Sequence, residues 1–167
     1  MRRVCLLLLL IGLPACNSDE TFDPVGPSGP TVPSIGGTFS SPNMFHFEVT
    51  DGRVFDCNGA LTIGTQIATS FSGTFVIADQ ERCGNPSGTV TSGTFSTDGT
   101  ISFALTSAGT ETVFVASAFG CTYVSGDRLM TGTITATDLR AESRTMINCS
   151  TGVQSVFARV AGSRSGQ

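Results

Sequence analysis

Phe45-His46-Phe47-Glu48-Val49-Thr50-Asp51-Gly52-Arg53-Val54-Phe55-Asp56-Cys57 is the stretch whose reading decides the fold. Phe45, Phe47 and Val49 alternate with His46 and Glu48, the period of a strand with one apolar and one polar face. Asp51-Gly52 then supplies a turn, expected as a tight type I′ turn, and the chain returns through Arg53 to Cys57. A hairpin follows.

The same grammar continues outward from this hairpin. Asn58-Gly59 offers another turn signal, Leu61 and Ile63 alternate beyond it, and Phe71, Phe75 and Ile77 share a face in the next segment. Ser87 to Ser96 is a strand whose apolar parity slips between Val90 and Phe95 around Gly93, which predicts a bulge. Asp98-Gly99 turns the chain into Ile101, Phe103 and Leu105. Glu111 to Phe119, apolar on both faces, reads as a covered strand, and Arg128 to Thr137 as another. Asp138 to Ser143 is the only stretch with any helical tolerance and is too short for a helix. Arg144 to Cys149 and Val153 to Val160 give two last strands, and the residues after Gly162 read as a frayed tail.

Eight to ten short strands joined by hairpin turns, without a helix, predict an all-β antiparallel meander. Such a sheet must close into a barrel or fold into a sandwich to protect its edges, and consecutive hairpins favour the up-and-down barrel. At this point the body, residues 35–161, resembles the lipocalin-like barrels in pattern: Gly37-Thr38-Phe39 stands where that superfamily carries a Gly-x-Trp signature. No closing Arg is assignable from the sequence. A barrel of this size implies an interior that either fills with side chains or holds one small apolar ligand. Phe45, Phe47, Phe71, Phe75, Phe103, Leu105 and Met130 are the candidate lining residues.

The start of the chain carries a separate message. Arg2 and Arg3 precede an apolar run of about ten residues, Val4 to Leu13, the length of a signal-peptide core and far short of a spanning helix. The run ends in Leu13-Pro14-Ala15-Cys16, which resembles the lipobox of bacterial lipoprotein precursors. The resemblance implies removal of residues 1–15 and acylation, palmitate included, of Cys16, with the acyl chains as a membrane anchor. Asn17 after the Cys implies sorting to the outer membrane, facing the periplasm or the exterior. Residues 16–34, with Pro24, Pro27, Pro30 and Pro33 among Gly, Ser and Thr, form a tether. The body then occupies residues 35–161 and the tail 162–167.

Four cysteines remain in the exported part: Cys57, Cys83, Cys121 and Cys149. An even number in an exported chain predicts two disulfides. Three pairings are possible, and closure of the shortest loops favours Cys57 with Cys83 and Cys121 with Cys149. Neither close Cys pairs nor helping histidines suggest zinc. The formal charge of −4 falls to −6 once Arg2 and Arg3 leave, and there is no Lys, so nucleic acid is not an expected partner.

Catalytic chemistry finds little purchase. His46, the only His, shares the polar face of its strand with Glu48, a pair that reads as an exposed polar face rather than an acid–base site. Asp79 and Glu81 lack the dense oxygen-ligand loop of a calcium site. Asn148-Cys149-Ser150 has the spacing of a glycosylation sequon but its Cys belongs to a predicted disulfide. The sequence therefore predicts no enzyme, no cofactor and no metal. It predicts a lipid-anchored envelope protein acting as a structural or surface-interaction body, with an envelope protein as partner; the alternative is a binding protein for a small apolar ligand inside the barrel.

Overall fold

The computed structural model describes residues 32–79, 83, 86–107 and 114–166. The lipobox, Cys16 and most of the tether lie outside these residues, as does Glu81. The body forms one compact unit from Val32 to the end of the chain.

Nine strands run in chain order: β1 Gly37–Val49, β2 Val54–Ile67, β3 Ser70–Ile77, β4 Ser87–Phe95, β5 Thr100–Ser107, β6 Thr122–Gly126, β7 Met130–Ile134, β8 Asp138–Cys149 and β9 Gly152–Arg164. Each of the first five pairs antiparallel with the next. β8 pairs with β9 over its whole length, and β9 returns to β1, with Phe45 opposite Val160 and Phe47 opposite Ala158. On its other edge β8 carries β7 opposite Leu139 to Glu142 and β6 opposite Thr145 to Asn148, while β7 also pairs with β5. β6 and β7 thus share one position, and the sheet closes as an eight-stranded antiparallel barrel. Closure removes the edges that an open meander would expose.

The period-two residues point inward as the sequence predicts. Phe39, Phe45, Leu61, Ile101, Phe103 and Val156 are fully buried, and each such side chain taken from water contributes about 1.5–3 kcal/mol. Met44 departs from the expected parity. A bulge shifts the register between Ser41 and Phe45, so that Met44 and Phe45 are both fully buried. The bulge predicted in β4 is present, with Ser92 at φ 51° and the register slipping between Thr91 and Thr94.

Four local expectations are corrected. The turn after Val49 is not type I′, because only Gly52 has a positive φ, 91°. Thr50-Asp51-Gly52 forms a three-residue loop, with Val49 N donating to Arg53 O and Gly52 N to Val49 O. Thr97-Asp98-Gly99 builds the same loop between Ser96 and Thr100, again with the Asp carboxylate accepting from the backbone N–H two residues on. In both, Gly takes the left-handed position that closes a bulged hairpin. Asn58-Gly59 is no turn and lies within β2, where a Cβ on Gly59 would stand 2.8 Å from the Phe45 ring. The glycine leaves room for that ring and for the Val76 carbonyl oxygen of β3, which is nearer still. Phe114–Ala118, expected in a covered strand, is a short helix, α1, with Val115 and Ala116 buried. Five residues apolar on both faces fit a helix plugging an end as well as a strand, and no period separates the two. Asp138 to Ser143 begins β8, and β9 continues through Gly162 to Arg164, where Arg164 N donates to Thr137 O. Residues 162–164 therefore belong to the barrel and not to a tail.

The barrel has two unlike ends. At the entry end the chain arrives from Val32, Ile35 is buried as a stopper, and Gln66 grips the arriving segment by accepting from Ile35 N and donating to Pro33 O. The Arg164 guanidinium lies 5.3 Å over the Phe39 ring. At the opposite end, the mouth, stand the Thr50–Gly52 loop, α1 and both disulfides. Cys57 pairs with Cys83 and Cys121 with Cys149, as favoured from loop length.

Candidate binding site at the mouth of the barrel

The residues proposed from sequence to line a ligand cavity all face the interior and are buried there. Phe45, Phe47, Phe71, Phe75, Phe103, Leu105 and Met130 are each at most 5% exposed. Phe45 packs on Phe75 with ring centroids 5.9 Å apart, and Phe71 meets Phe103 edge-on at 6.1 Å. The space bordered by Phe45, Phe47, Leu105, Val115 and Met130 amounts to about 10 Å³. That is scarcely room for a water molecule.

A larger space opens at the mouth. A cleft of about 350 Å³ is lined by Phe47, Phe55, Phe119, Ile77, Arg53, Ala118, Pro86 and the Cys57–Cys83 disulfide. The strand alternation that buries Cys57 and Leu61 also turns Phe55 inward, at the first turn of β2 above the packed core. α1 delivers Phe119, whose ring stands edge-on to Phe47 at 5.8 Å and to Phe55 at 5.4 Å. Such tilted pairs set the positive edge of one ring against the negative face of the next. The disulfide holds the β3–β4 connection against β2 and so forms the opposite wall. Of the candidate ligand residues, Phe47 alone borders this cleft.

Among the described residues, Arg53 is the cation of the lining. Its guanidinium lies 6.0 Å over the Phe55 ring, and Asp51 accepts from Nε at 2.8 Å and sits 2.7 Å from Nη2. Those hydrogen bonds to Arg53 hold the Asp51 carboxyl below the usual carboxylate range. Phe55, Phe119 and Arg53 were missed in the sequence. Phe55 carried a signal, its parity with Cys57 and Leu61; Phe119 carried none, because it follows a helix that the pattern does not reveal.

His46 is a second polar constellation, on the outer wall. It lies on β1 opposite Asp56 of β2 and Arg159 of β9. Nδ1 is 2.7 Å from Asp56 Oδ1 and Nε2 is 2.9 Å from Glu48 Oε1, while the Phe157 ring covers it edge-on. Far from standing on an exposed face, His46 is 8% exposed. Burial pushes its pKa down, but donation to the Glu48 and Asp56 carboxylates outweighs burial and the nearby Arg159 charge, and the pKa is raised. Two carboxylates on the two ring nitrogens call for the imidazolium, which donates to both. A ring so held has no lone pair to act as a base. It clamps the seam where β9, β1 and β2 meet.

Among the described residues no His, Cys, Asp and Glu side chains cluster in a way that could hold a metal ion, and no helix is long and apolar enough to cross a membrane. At Asp79, the described member of the acidic pair near Cys83, it is the backbone carbonyl that accepts from the Cys83 backbone N–H, at 2.9 Å.

No protein-family model matches the chain, and no curated protein matches it in sequence. Solved structures similar to it include a redesigned β-barrel, b11L5F_LGL, at 13% identity, covering 80% of this chain and 92% of that one with a TM-score of 0.44. EF1p2_mFAP2b bound to DFHBI matches at 10% identity, covering 77% of this chain and 92% of that one with a TM-score of 0.45.

Proposed function

We propose that this chain is a lipoprotein of the bacterial cell envelope, anchored in the outer membrane through acyl chains on Cys16, whose stapled barrel serves as a rigid interaction body and not as an enzyme. The anchor reading rests on Arg2, Arg3, the short apolar run and the lipobox-like Leu13-Pro14-Ala15-Cys16. The closed, doubly stapled barrel is the observation that carries the rest. The chain enters at one end, where Gln66 ties down Pro33 and Ile35, and both disulfides gather at the other. Closure of the sheet and the two disulfides make the barrel a stiff body suited to surface contacts. Several acyl chains, at about 0.8 kcal/mol per buried methylene, make such an anchor effectively permanent.

Fractionation tests this. Wild-type protein should sediment with membranes and move into the detergent phase, whereas Cys16→Ser should leave the barrel folded and either retained with an uncleaved signal or released as soluble protein lacking acyl groups. A Cys16→Ser variant acylated and distributed like the wild type would sink the proposal.

The ligand-binding alternative gains one specific observation, the 350 Å³ cleft. It moves the seat of any ligand from the packed interior to the mouth.

A further inference from the structure

We infer that the mouth cleft is a binding site for a flat aromatic anion, with Phe55 and Phe119 as the stacking surfaces and Arg53 as the recognition cation. The inference deepens the ligand-binding alternative and is independent of how the protein is anchored.

Three features define the ligand class. The first is size: about 350 Å³ lies at the small end of the roughly 300–1,000 Å³ spanned by small-molecule sites, enough for about two or three rings and their substituents. The second is the wall. Phe47, Phe55 and Phe119 lie within 6 Å of one another, centroid to centroid along the chain of contacts, at interplanar angles of 89° and 62°. That arrangement leaves Phe55 and Phe119, both only half-buried, with ring surface that a flat guest can cover, and aromatic contacts of this kind contribute beyond the area they bury. The polarisable Cys57–Cys83 sulfurs complete an apolar slot.

The third feature is charge. In a chain with an excess of acidic groups, the one charged side chain among the described residues lining this slot is an arginine. Asp51 engages Nε and approaches Nη2, but a guanidinium carries five N–H donors in a planar fork, so donors remain for a second acceptor. A carboxylate, sulfonate or phenolate on the guest would take them in a charge-assisted pair at the exposed rim. The Asp51 pairing also fixes the orientation of the fork before any guest arrives, which lowers the ordering cost of binding. An aliphatic guest would fill the slot without using the ring faces, and a cationic one would meet Arg53 as repulsion.

A matched pair of probes tests this. 8-Anilinonaphthalene-1-sulfonate carries fused and single rings with an anionic group; N-phenyl-1-naphthylamine has the same rings without it. The folded protein should bind the sulfonate at one site, more tightly than the amine. Phe55→Ala and Phe119→Ala should each weaken the sulfonate about tenfold. Arg53→Gln should weaken the sulfonate and leave the amine unchanged. Phe103→Leu, deep in the barrel, should alter neither. Because the Phe variants could lose structure, amide shift mapping on the unaltered protein supplies a second reading: titration should move Arg53, Phe55 and Phe119 and spare Phe71 and Phe103. Equal affinity for both probes, unchanged sulfonate binding in folded Phe55→Ala, or shifts centred on Phe71 and Phe103 would overturn the inference.

Discussion

Replacing Phe103 by Ala asks directly whether the barrel interior is solid. Phe103 is fully buried on β5, edge-on to Phe71 and two residues from both Ile101 and Leu105 on the inward face. Its neighbours Phe71, Ile101, Leu105 and Met130 are themselves at most 5% exposed, so the ring stands in a packed interior. The cost then contains both the transfer of the ring and the cavity left behind, about 3–5 kcal/mol for a Phe→Ala change in a core that cannot collapse. For a barrel of this size that corresponds to roughly 9–15 °C in Tm. The chain has no Trp and one Tyr, so urea unfolding followed by far-UV circular dichroism, with disulfides intact, is the suitable assay. The variant should also gain a dry cavity able to bind benzene or xenon. A loss of less than about 1 kcal/mol would mean that the ring already faces empty space, and the interior would again be a candidate ligand chamber.

Other outcomes follow from the same structure. Because the pKa of His46 is raised in the folded state, its contribution to stability is complete below its unfolded value of about 6.5 and is lost as pH rises through the higher folded value. His46→Gln should therefore cost about 1–2 kcal/mol near pH 5.5, and the gap to wild type should narrow on moving to pH 8.5; a gap that widens would contradict the clamp. Replacing Cys57 and Cys83 together by Ala opens a loop of 26 residues and should cost about 3.5 kcal/mol by chain entropy, read as a fall in the urea midpoint. Gly88→Val on β4 would drive a Cβ against the Thr106 carbonyl oxygen of β5 and to 2.7 Å from the Phe75 ring and should destabilise by about 1–3 kcal/mol through overpacking; calorimetry showing no change would mean that both the backbone and the ring have room to shift.

The barrel was legible because its core residues obey one period. Phe45, Phe47, Ile101, Phe103, Leu105, Val156, Ala158 and Val160 alternate without interruption and all point inward, so strand count, antiparallel pairing and the preference for closure could be read directly. The cysteine pairing was legible for a related reason: hairpin neighbours are spatial neighbours. What escaped were places where a residue answers to something across the sheet. Asn58-Gly59 reads as a turn until the Phe45 ring on the adjacent strand explains the glycine. The Met44 side chain follows a bulge that Ser41-Pro42-Asn43 does not announce as a parity change. His46 sits on a polar face by parity, yet Asp56, Glu48 and Phe157 from two neighbouring strands and its own enclose it. The mouth cleft was the least legible, since it is assembled from Phe55 on β2, Phe119 after α1 and a disulfide. Sequence distance hides that assembly.

The measurement that bears most directly on the whole account is the intact mass of the mature protein taken from envelopes of expressing cells, under native and denaturing conditions. The account predicts a chain beginning at an acylated Cys16, lighter by four hydrogens for Cys57–Cys83 and Cys121–Cys149, with no molecule locked inside the barrel. A chain carrying an unmodified Cys16, or one that retains an apolar molecule shielded until the barrel unfolds, would contradict it.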